Sequence, residues 1–240
     1  MTPERAGYAL FVSLALLVGW WIRRIEGKRL DAPRGRQNLG IAAGALLGGV
    51  IGAKLLMILY LPVGEWWTLI ENLMALNFDG KTVIGGLTGG YIGVEVAKRL
   101  VGVTRSTGDA YAVALPVAHG IGRLGCLWNG CCYGREADIF WGVFQREATR
   151  HPAQVYEMLG NFALAAFLWS YRKKTSVPGQ LVRMYLVGYA LIRVVIDPFR
   201  GDSHIPIGPL TLVQWYCLVM GAGFAWWVSR DMKRPALAAE

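Results

Sequence analysis

The chain has 240 residues, of which 54% are hydrophobic, and a formal net charge of +9. In a soluble protein such a charge would suggest a nucleic-acid partner, but the apolar stretches are too long and too regular for a soluble domain. The basic residues lie between these stretches, and membrane topology explains that distribution better. We therefore expect a protein surrounded by membrane lipids, and we expect no nucleic-acid partner.

Apolar segments recur along the chain, and several reach the roughly 20 residues that span a bilayer. They cover about residues 7–22, 38–62, 83–97, 109–128, 155–171, 180–196 and 208–229. The first lacks a clear cleavage site, so we interpret it as a retained span. The third is short and glycine-rich, and its glycines could permit a helix break or a close contact with a lipid headgroup.

These segments predict an all-α fold, a polytopic membrane helical bundle with about seven transmembrane spans and a small extracytoplasmic cap. We treat residues 1–240 as a single integral membrane domain. Residues 63–82 mix tryptophans and aliphatic residues with acidic ones, which favours an amphipathic helix on the outer membrane surface. Residues 130–154 form a second outward loop, which we interpret as the cap.

Every second connection between the segments is strongly basic, which orients the chain. The clusters are Arg23, Arg24, Lys28, Arg29, Arg34 and Arg36; Lys98, Arg99 and Arg105; Arg172, Lys173 and Lys174; and Arg230, Lys233 and Arg234. Because cytoplasmic loops carry an excess of Lys and Arg, these connections belong in the cytoplasm. The N-terminus is then outside and the C-terminus cytoplasmic.

The stretch with the most reactive and charged side chains is HGIGRLGCLWNGCCYG, residues 119–134. It follows an apolar segment, so Arg123 lies within or at the edge of the membrane. A charged residue there costs about 3 kcal/mol on insertion scales, which predicts an anionic partner or a functional role. His119 lies one helical turn before Arg123, so the two side chains could face the same way. His119 then either shares a polar site with Arg123 or is a packing histidine.

Three cysteines of this stretch, Cys126, Cys131 and Cys132, leave three interpretations open. In an oxidising compartment Cys126 could form a disulfide with either of the others. A thiolate near Arg123 could instead have a lowered pKa and act as a nucleophile. Zinc binding is less favoured, because a clear fourth ligand is missing apart from His119 or His151. We predict neither a metal nor a cofactor.

Two further groups of polar residues lie at the predicted outer membrane boundary. His151, Gln154, Tyr156 and Glu157 form either a polar wall or simply a polar helix start. Tyr189, Arg193, Asp197 and Arg200 fit one helical stripe, although Pro198 should kink or end the helix. This stripe is either a structural salt-bridge cluster or an anion site, with Asp197 holding one arginine and leaving the other free.

The ordered motifs resemble the prolipoprotein diacylglyceryl transferase family over nearly the whole chain. The resemblance rests on Tyr8 in the first segment, GGLTGG in the third, and Asp109 fourteen residues before Arg123. It continues through the core GRLGxxxNGxxxG at residues 122–134, through HPAQVYE, and through the stripe from Tyr189 to Arg200.

The resemblance implies a transferase of lipoprotein biosynthesis, whose partners are phosphatidylglycerol, or a related phospholipid, and a prolipoprotein. The diacylglyceryl group would pass to a cysteine thiol of the prolipoprotein at the outer face of the bacterial inner membrane. The resemblance implies catalytic roles for Arg123 and Arg193, and we add His119, Cys126 and Cys131 as candidate catalytic residues of this sequence. The proton acceptor would be His119, His151, Glu157 or the departing phosphate itself. The implied substrate-binding residues are Tyr8, Gly85, Gly86, Asn129, Gly130, His151, Gln154, Tyr156, Glu157, Tyr189, Asp197 and Arg200.

Three positions depart from the family pattern. Cys126 stands where the family has an asparagine, Cys131 where it has a glutamate, and Ile84 where it has a histidine regarded as a candidate base. The chain therefore resembles a divergent, cysteine-bearing branch. Two alternative functions follow: a homologue that uses its own cysteines to act on another lipid acceptor, and a phospholipid-binding membrane protein without catalysis.

Overall fold

The computed structural model describes residues 3–30, 35–60, 64, 67, 82–175, 177–201 and 206–233. These residues are mostly helical, which confirms the predicted all-α class. The helices are α1 (Pro3–Arg29), α2 (Gly35–Leu55), α3 (Val83–Leu100), α4 (Ala114–Trp128), α5 (Ala153–Tyr171), α6 (Gln180–Ile196) and α7 (Leu212–Met232). Two short antiparallel hairpins pair β1 (Val143–Gln145) with β2 (Ala148–Arg150), and β3 (Pro206–Ile207) with β4 (Leu210–Thr211).

Within the described residues, 4 helical segments are long and apolar enough to cross a membrane: Ala6–Arg29, Gly35–Tyr60, Gly108–Trp128 and Leu212–Met232. Large apolar side chains are exposed on the surface of these segments, as expected where a helix faces membrane lipid. For example, Leu46 is 70% and Val219 is 72% exposed. The total of seven spans and the cap remain predictions. The interfacial helix predicted at residues 63–82 lies outside the described residues, apart from Gly64, Trp67 and Thr82.

The chain divides into two compact units. Unit 1 contains residues 1–31, 106–202 and 217–240, and unit 2 contains residues 32–105 and 203–216. In unit 1, α4 packs against α1 and α5, and α5 packs against α6. Small residues allow this close packing: Gly125 lies against Tyr8 and Phe11, and Gly120 lies against the ring of Phe162.

The position of Asp109 before α4 suggests that it caps α4, but the structure shows that it caps α6. It lies in a 3₁₀ turn, Gly108–Tyr111, and α4 begins only at Ala114. Its carboxylate accepts hydrogen bonds from the backbone N–H of Gly179 at 2.6 Å and of Val182 at 2.9 Å. These donors are unpaired amides at the start of α6, so Asp109 caps α6 and ties its start to the turn that precedes α4.

The loop between α4 and α5 carries the β1–β2 hairpin. Phe144 pairs with Thr149 in the middle of the ladder. Arg146 and Glu147 connect the strands with φ angles of 52° and 63°. Two successive positive φ angles are what a type I′ turn requires, and this turn matches the twist of the strands. The segment predicted as a cap therefore has regular structure of its own.

Unit 2 is built around the contact between α2 and α3. A β-carbon at Gly48 would clash with the carbonyl oxygen of Gly89, and the same holds for Gly52 against Gly85. The glycine-rich segment forms one continuous helix, so the helix break that we considered is absent. Its glycines serve a close approach of two helices, as in small-xxx-small packing. Thr82 caps α3 by accepting a hydrogen bond from the Gly85 N–H at 3.0 Å.

This packing predicts unequal effects for one substitution at two adjacent positions. Gly48→Ala should destabilise the protein by about 1–3 kcal/mol, because backbone atoms of α3 would have to move. Gly49→Ala is the matched control, since its β-carbon would lie 3.4 Å from the nearest atom, the Gly86 oxygen. The free energy of unfolding of both variants is measured in mixed micelles. If the two variants were equally stable, the close contact between Gly48 and α3 would be contradicted.

Candidate active site

The carboxylate of Glu157 is the centre of a buried ionic cluster in unit 1. Glu157 is 0% exposed. Its Oε1 lies 2.8 Å from Arg123 Nη2. Its Oε2 lies 3.4 Å from Arg200 Nη1 and 3.7 Å from Arg193 Nη1. Each member comes from a different element: α4, α5, α6 and the turn after α6. A single carboxylate therefore contacts residues that are far apart in the chain.

Two further side chains, Tyr189 and His119, complete this centre. The Tyr189 hydroxyl donates a hydrogen bond to Glu157 Oε1 at 3.1 Å. His119 Nε2 lies 3.3 Å from the same oxygen, but without hydrogen-bond geometry. Neither imidazole nitrogen of His119 makes a hydrogen bond among the described residues. An imidazole with an unused nitrogen in a polar centre can accept a proton.

Among the described residues, the charged part of this cluster consists of three guanidinium groups and two carboxylates. Its cations are Arg123, Arg193 and Arg200, and its carboxylates are Glu157 and Asp197, which accepts a hydrogen bond from Arg193 Nη2 at 2.9 Å. All five side chains are buried. Guanidinium groups carry planar sets of donors that match the oxygens of phosphate and carboxylate groups. Three of them around one point are therefore suited to an anionic ligand.

The end of α6 determines the position of Arg200. The helix ends at Ile196, and Asp197–Phe199 forms a 3₁₀ turn with Pro198 inside it. Arg200 then has an extended conformation and forms a β-bridge with Gly134. A side chain at Gly134 would clash with the carbonyl oxygen of His151. Glycine at this position thus allows the three backbone segments to meet beside the cluster. The sequence correctly predicted that Pro198 ends the helix.

A second polar group lies at the start of α5. The Tyr156 hydroxyl accepts a hydrogen bond from Trp141 Nε1 at 2.7 Å and lies 3.2 Å from His151 Nδ1. Gln154 Nε2 donates to the Cys131 carbonyl at 2.9 Å and to Gln145 Oε1 at 3.1 Å. The residues of the predicted polar wall thus belong to two hydrogen-bonded groups, and Glu157 belongs to the ionic cluster instead. The sequence analysis missed Trp141 and Gln145, because a short irregular loop gives no periodicity that would identify inward-facing positions.

The three clustered cysteines lie together at the end of α4. Their sulfur atoms are all within 4.8 Å of one another, and all are free thiols, so the disulfide that we considered is not formed here. Arg123 Nη1 lies 3.8 Å from Cys126 Sγ. Arg123 therefore contacts both Glu157 and the thiol group. Cys132, which we had not placed among the catalytic residues, belongs to the same cluster.

The pKa of Cys132 is lowered from its ordinary value. Hydrogen bonds from the Cys126 and Cys131 thiols stabilise the Cys132 thiolate, and the positive charges of Arg123 and Arg200 add to this effect. Partial burial opposes the shift, because it disfavours the charged form. Cys132 therefore carries more thiolate character at neutral pH than an ordinary cysteine.

The other residues that the sequence predicted for the site lie elsewhere on the helices, and their roles in substrate binding stay predictions. Tyr8 is 39% exposed on α1, and its ring lies against Gly125 in α4. Asn129 caps the end of α4, and Gly130 has a φ of 65°. Gly85 and Gly86 lie in α3 of unit 2, where Gly85 packs against Gly52, and Ile84 is buried at 1% exposure.

A sequence model of the prolipoprotein diacylglyceryl transferase family matches residues 5–229. The phosphatidylglycerol–prolipoprotein diacylglyceryl transferase of Legionella pneumophila strain Lens is 32% identical, over 92% of this chain and 89% of that protein. The enzymes of the same name from Clostridium tetani and Clostridioides difficile are each 27% identical, over 88% of this chain and 87% and 85% of their own lengths. The chain therefore belongs to the prolipoprotein diacylglyceryl transferase family.

Proposed function

We propose that this protein transfers the diacylglyceryl group of phosphatidylglycerol to a cysteine thiol of a prolipoprotein, at the outer face of the inner membrane. The names of its relatives support this reaction. The observation that carries the proposal is the buried cluster of Arg123, Arg193 and Arg200 around Glu157. In a family of transferases, such a cluster is suited to a phosphodiester.

The arginines bind the phosphate and stabilise the charge that develops on the departing glycerol phosphate. A guanidinium suits this role, because its planar donors can hold two phosphate oxygens at once. Arg193 is held by Asp197 at 2.9 Å, which fixes its orientation. The groups that stabilise charge in the transition state are thus already oriented before the substrate arrives.

The acceptor thiol must lose its proton before its sulfur attacks the glyceryl carbon. His119 is the candidate proton acceptor, because its ring nitrogens make no hydrogen bond in the described part of the chain. Glu157 lies 3.3 Å away and would stabilise the imidazolium that forms. Tyr189 holds the same carboxylate at 3.1 Å and so fixes its position.

A second candidate function uses the protein's own cysteines. Arg123 Nη1 lies 3.8 Å from Cys126 Sγ, and a positive charge favours a thiolate. A thiolate here could accept the diacylglyceryl group itself and pass it to another acceptor. In that case a covalent lipid adduct on Cys126, Cys131 or Cys132 would form without any peptide.

The basic connections support a site that faces outward. Lys and Arg cluster at the ends of α1, α3 and α7 and directly after α5, which favours a cytoplasmic side there. The ends of α4 and α6 and the start of α5, which carry the cluster, would then lie on the opposite side. The N-terminus would be outside and the C-terminus in the cytoplasm.

Mass spectrometry of a reaction in liposomes tests the proposal. Purified protein is mixed with phosphatidylglycerol vesicles and a lipobox peptide that contains one cysteine, with and without reductant. We expect the peptide to gain one diacylglyceryl group. A peptide with serine in place of cysteine and vesicles without phosphatidylglycerol are the matched controls. A lipid adduct on the protein alone would favour the second candidate function. If neither the peptide nor the protein carried a lipid adduct, both candidate functions would be contradicted.

Replacing His119 tests the proton acceptor. His119→Gln should lower the transfer rate by about 100-fold or more, the usual effect of losing a general base. The parent rate should fall toward acid pH, because a protonated imidazole cannot accept a proton, and the variant should lose this dependence. Free imidazole should partly restore its rate. A variant with an unchanged pH profile would show that His119 has only a packing role.

A further inference from the structure

The thiol cluster at the end of α4 is a geometric fit for a thiophilic metal ion. The sulfur atoms of Cys126, Cys131 and Cys132 all lie within 4.8 Å of one another. All are half-buried free thiols. Zinc–thiolate bonds of about 2.3 Å place tetrahedral sulfur ligands about 3.8 Å apart. Small side-chain rotations of the cysteines therefore suffice to close the cluster around one ion.

The backbone directs these three side chains to one point. Helix α4 ends at Trp128, and the Cys131 N–H donates to the Cys126 carbonyl at 3.1 Å. Cys132 has a φ of 55°, in the left-handed region that residues with a β-carbon rarely adopt. Residues in such conformations cluster at functional sites. The strained turn brings Cys131 and Cys132 back beside Cys126.

The surroundings suit the charge of an occupied cluster. Three thiolates around a divalent cation carry one net negative charge. Arg123 is 5% exposed and places Nη1 3.8 Å from Cys126 Sγ, so its positive charge offsets this negative one. Gln154 donates to the Cys131 carbonyl at 2.9 Å and fixes that part of the turn. Such outer contacts orient metal ligands and increase affinity.

Three protein ligands leave one coordination position open. Structural zinc sites are closed by four protein ligands, whereas catalytic sites have three and keep the fourth for water or substrate. Within the part of the chain that the structure describes, the group contains only the three thiols. The missing fourth ligand, which argued against a structural zinc site, is the expected feature of a reactive one.

We propose that Cys126, Cys131 and Cys132 bind a thiophilic divalent ion such as Zn²⁺, whose open position takes the acceptor thiol of the transfer reaction. The first half of this inference is a metal site and stands on the geometry of the cluster. The second half rests on the proposed function, because it assigns the open position to that reaction's acceptor.

The step balances without an oxidant or a reductant. The acceptor thiol binds the ion, which favours its deprotonation, and its proton passes to His119, the proton acceptor of the proposed reaction. A lone pair of the bound sulfur then forms a bond to the glyceryl carbon. The bond between that carbon and the phosphate oxygen breaks, and its electron pair leaves with the glycerol phosphate. The ion keeps its charge, and the thioether product, a weaker ligand, dissociates.

Cobalt binding tests the site without reference to activity. Full-length protein in micelles is reduced, stripped of metal and titrated with Co²⁺, whose thiolate charge-transfer and ligand-field bands report the number of sulfur ligands and the coordination geometry. We expect one four-coordinate Co²⁺ per chain, bound by three protein thiolates and displaced by Zn²⁺. Cys132→Ser should weaken binding more than about 100-fold, since losing an outer contact alone costs about 10- to 100-fold. Cys217→Ala is the matched control, because Cys217 lies outside the cluster, and it should bind like the parent.

Absence of thiolate-to-cobalt bands, or equal binding by Cys132→Ser and the parent, would overturn the metal site. The transfer assay then separates the two halves of the inference. Loss of transfer after chelation and its recovery with Zn²⁺ would support coordination of the acceptor. Transfer that continues without metal would overturn that coordination and leave the proposed function intact. Metal binding without any transfer would support the site and contradict the proposed function.

Discussion

Glu157→Gln should destabilise the protein by about 3–5 kcal/mol, the usual effect of removing one partner of a buried ion pair. Glu157 is 0% exposed and lies within 4 Å of three arginines. The amide keeps the size of the side chain but cannot compensate their charge. Arg123 and Arg200 would lose the carboxylate that lies 2.8 Å and 3.4 Å from them. Transfer activity should fall because the positions of the arginines change.

The matched control for this substitution is Glu136→Gln. Glu136 also pairs with an arginine, Arg150, at 2.8 Å, but its side chain is 68% exposed. Exposed ion pairs contribute about 0–1 kcal/mol, so the control should unfold almost like the parent. The free energy of unfolding of both variants is measured in mixed micelles. If Glu157→Gln and Glu136→Gln were equally stable, Glu157 would not be the common counter-ion of the buried arginines.

The role of Glu157 is the part of the site that the sequence could not predict. Local spacing predicted that Arg193 and Asp197 share a helical face, and the structure places them 2.9 Å apart. Glu157 is 34 residues from Arg123 and 43 from Arg200. Helix periodicity relates only residues a few positions apart. A contact across α4, α5 and the turn after α6 depends on how these elements pack.

The helices themselves were largely predictable, because each apolar segment overlaps one described helix over most of its length. Glycine in the third segment was misleading, since low intrinsic helix propensity suggested a break. Packing of Gly48 against Gly89 overrides that propensity in α3. Similarly, the short spacing of the cysteines suggested that they are close together. Their convergence also depends on positive φ angles at Gly130 and Cys132, and a sequence does not predict such an angle at a cysteine.

Arg123→Ala should lower the turnover rate of the proposed transfer by about 100- to 1,000-fold, comparable to the loss of one donor to a developing oxyanion. Arg123 is the arginine closest to Glu157, at 2.8 Å, and it also contacts Cys126 Sγ at 3.8 Å. It therefore connects the ionic cluster to the thiols. Its loss should remove phosphate stabilisation while Arg193 and Arg200 still pair with Glu157, so the protein should remain folded.

Arg123→Lys separates charge from geometry in this prediction. A lysine keeps the positive charge, but its single ammonium lacks the planar fork that lets Arg123 face Glu157 and Cys126 at once. We expect near-parental stability together with most of the loss in turnover. Arg24→Ala, at an exposed arginine over the Trp20 ring in α1, is the control and should retain transfer. Full turnover of Arg123→Lys would mean that charge alone suffices, and full turnover of Arg123→Ala would place phosphate binding elsewhere.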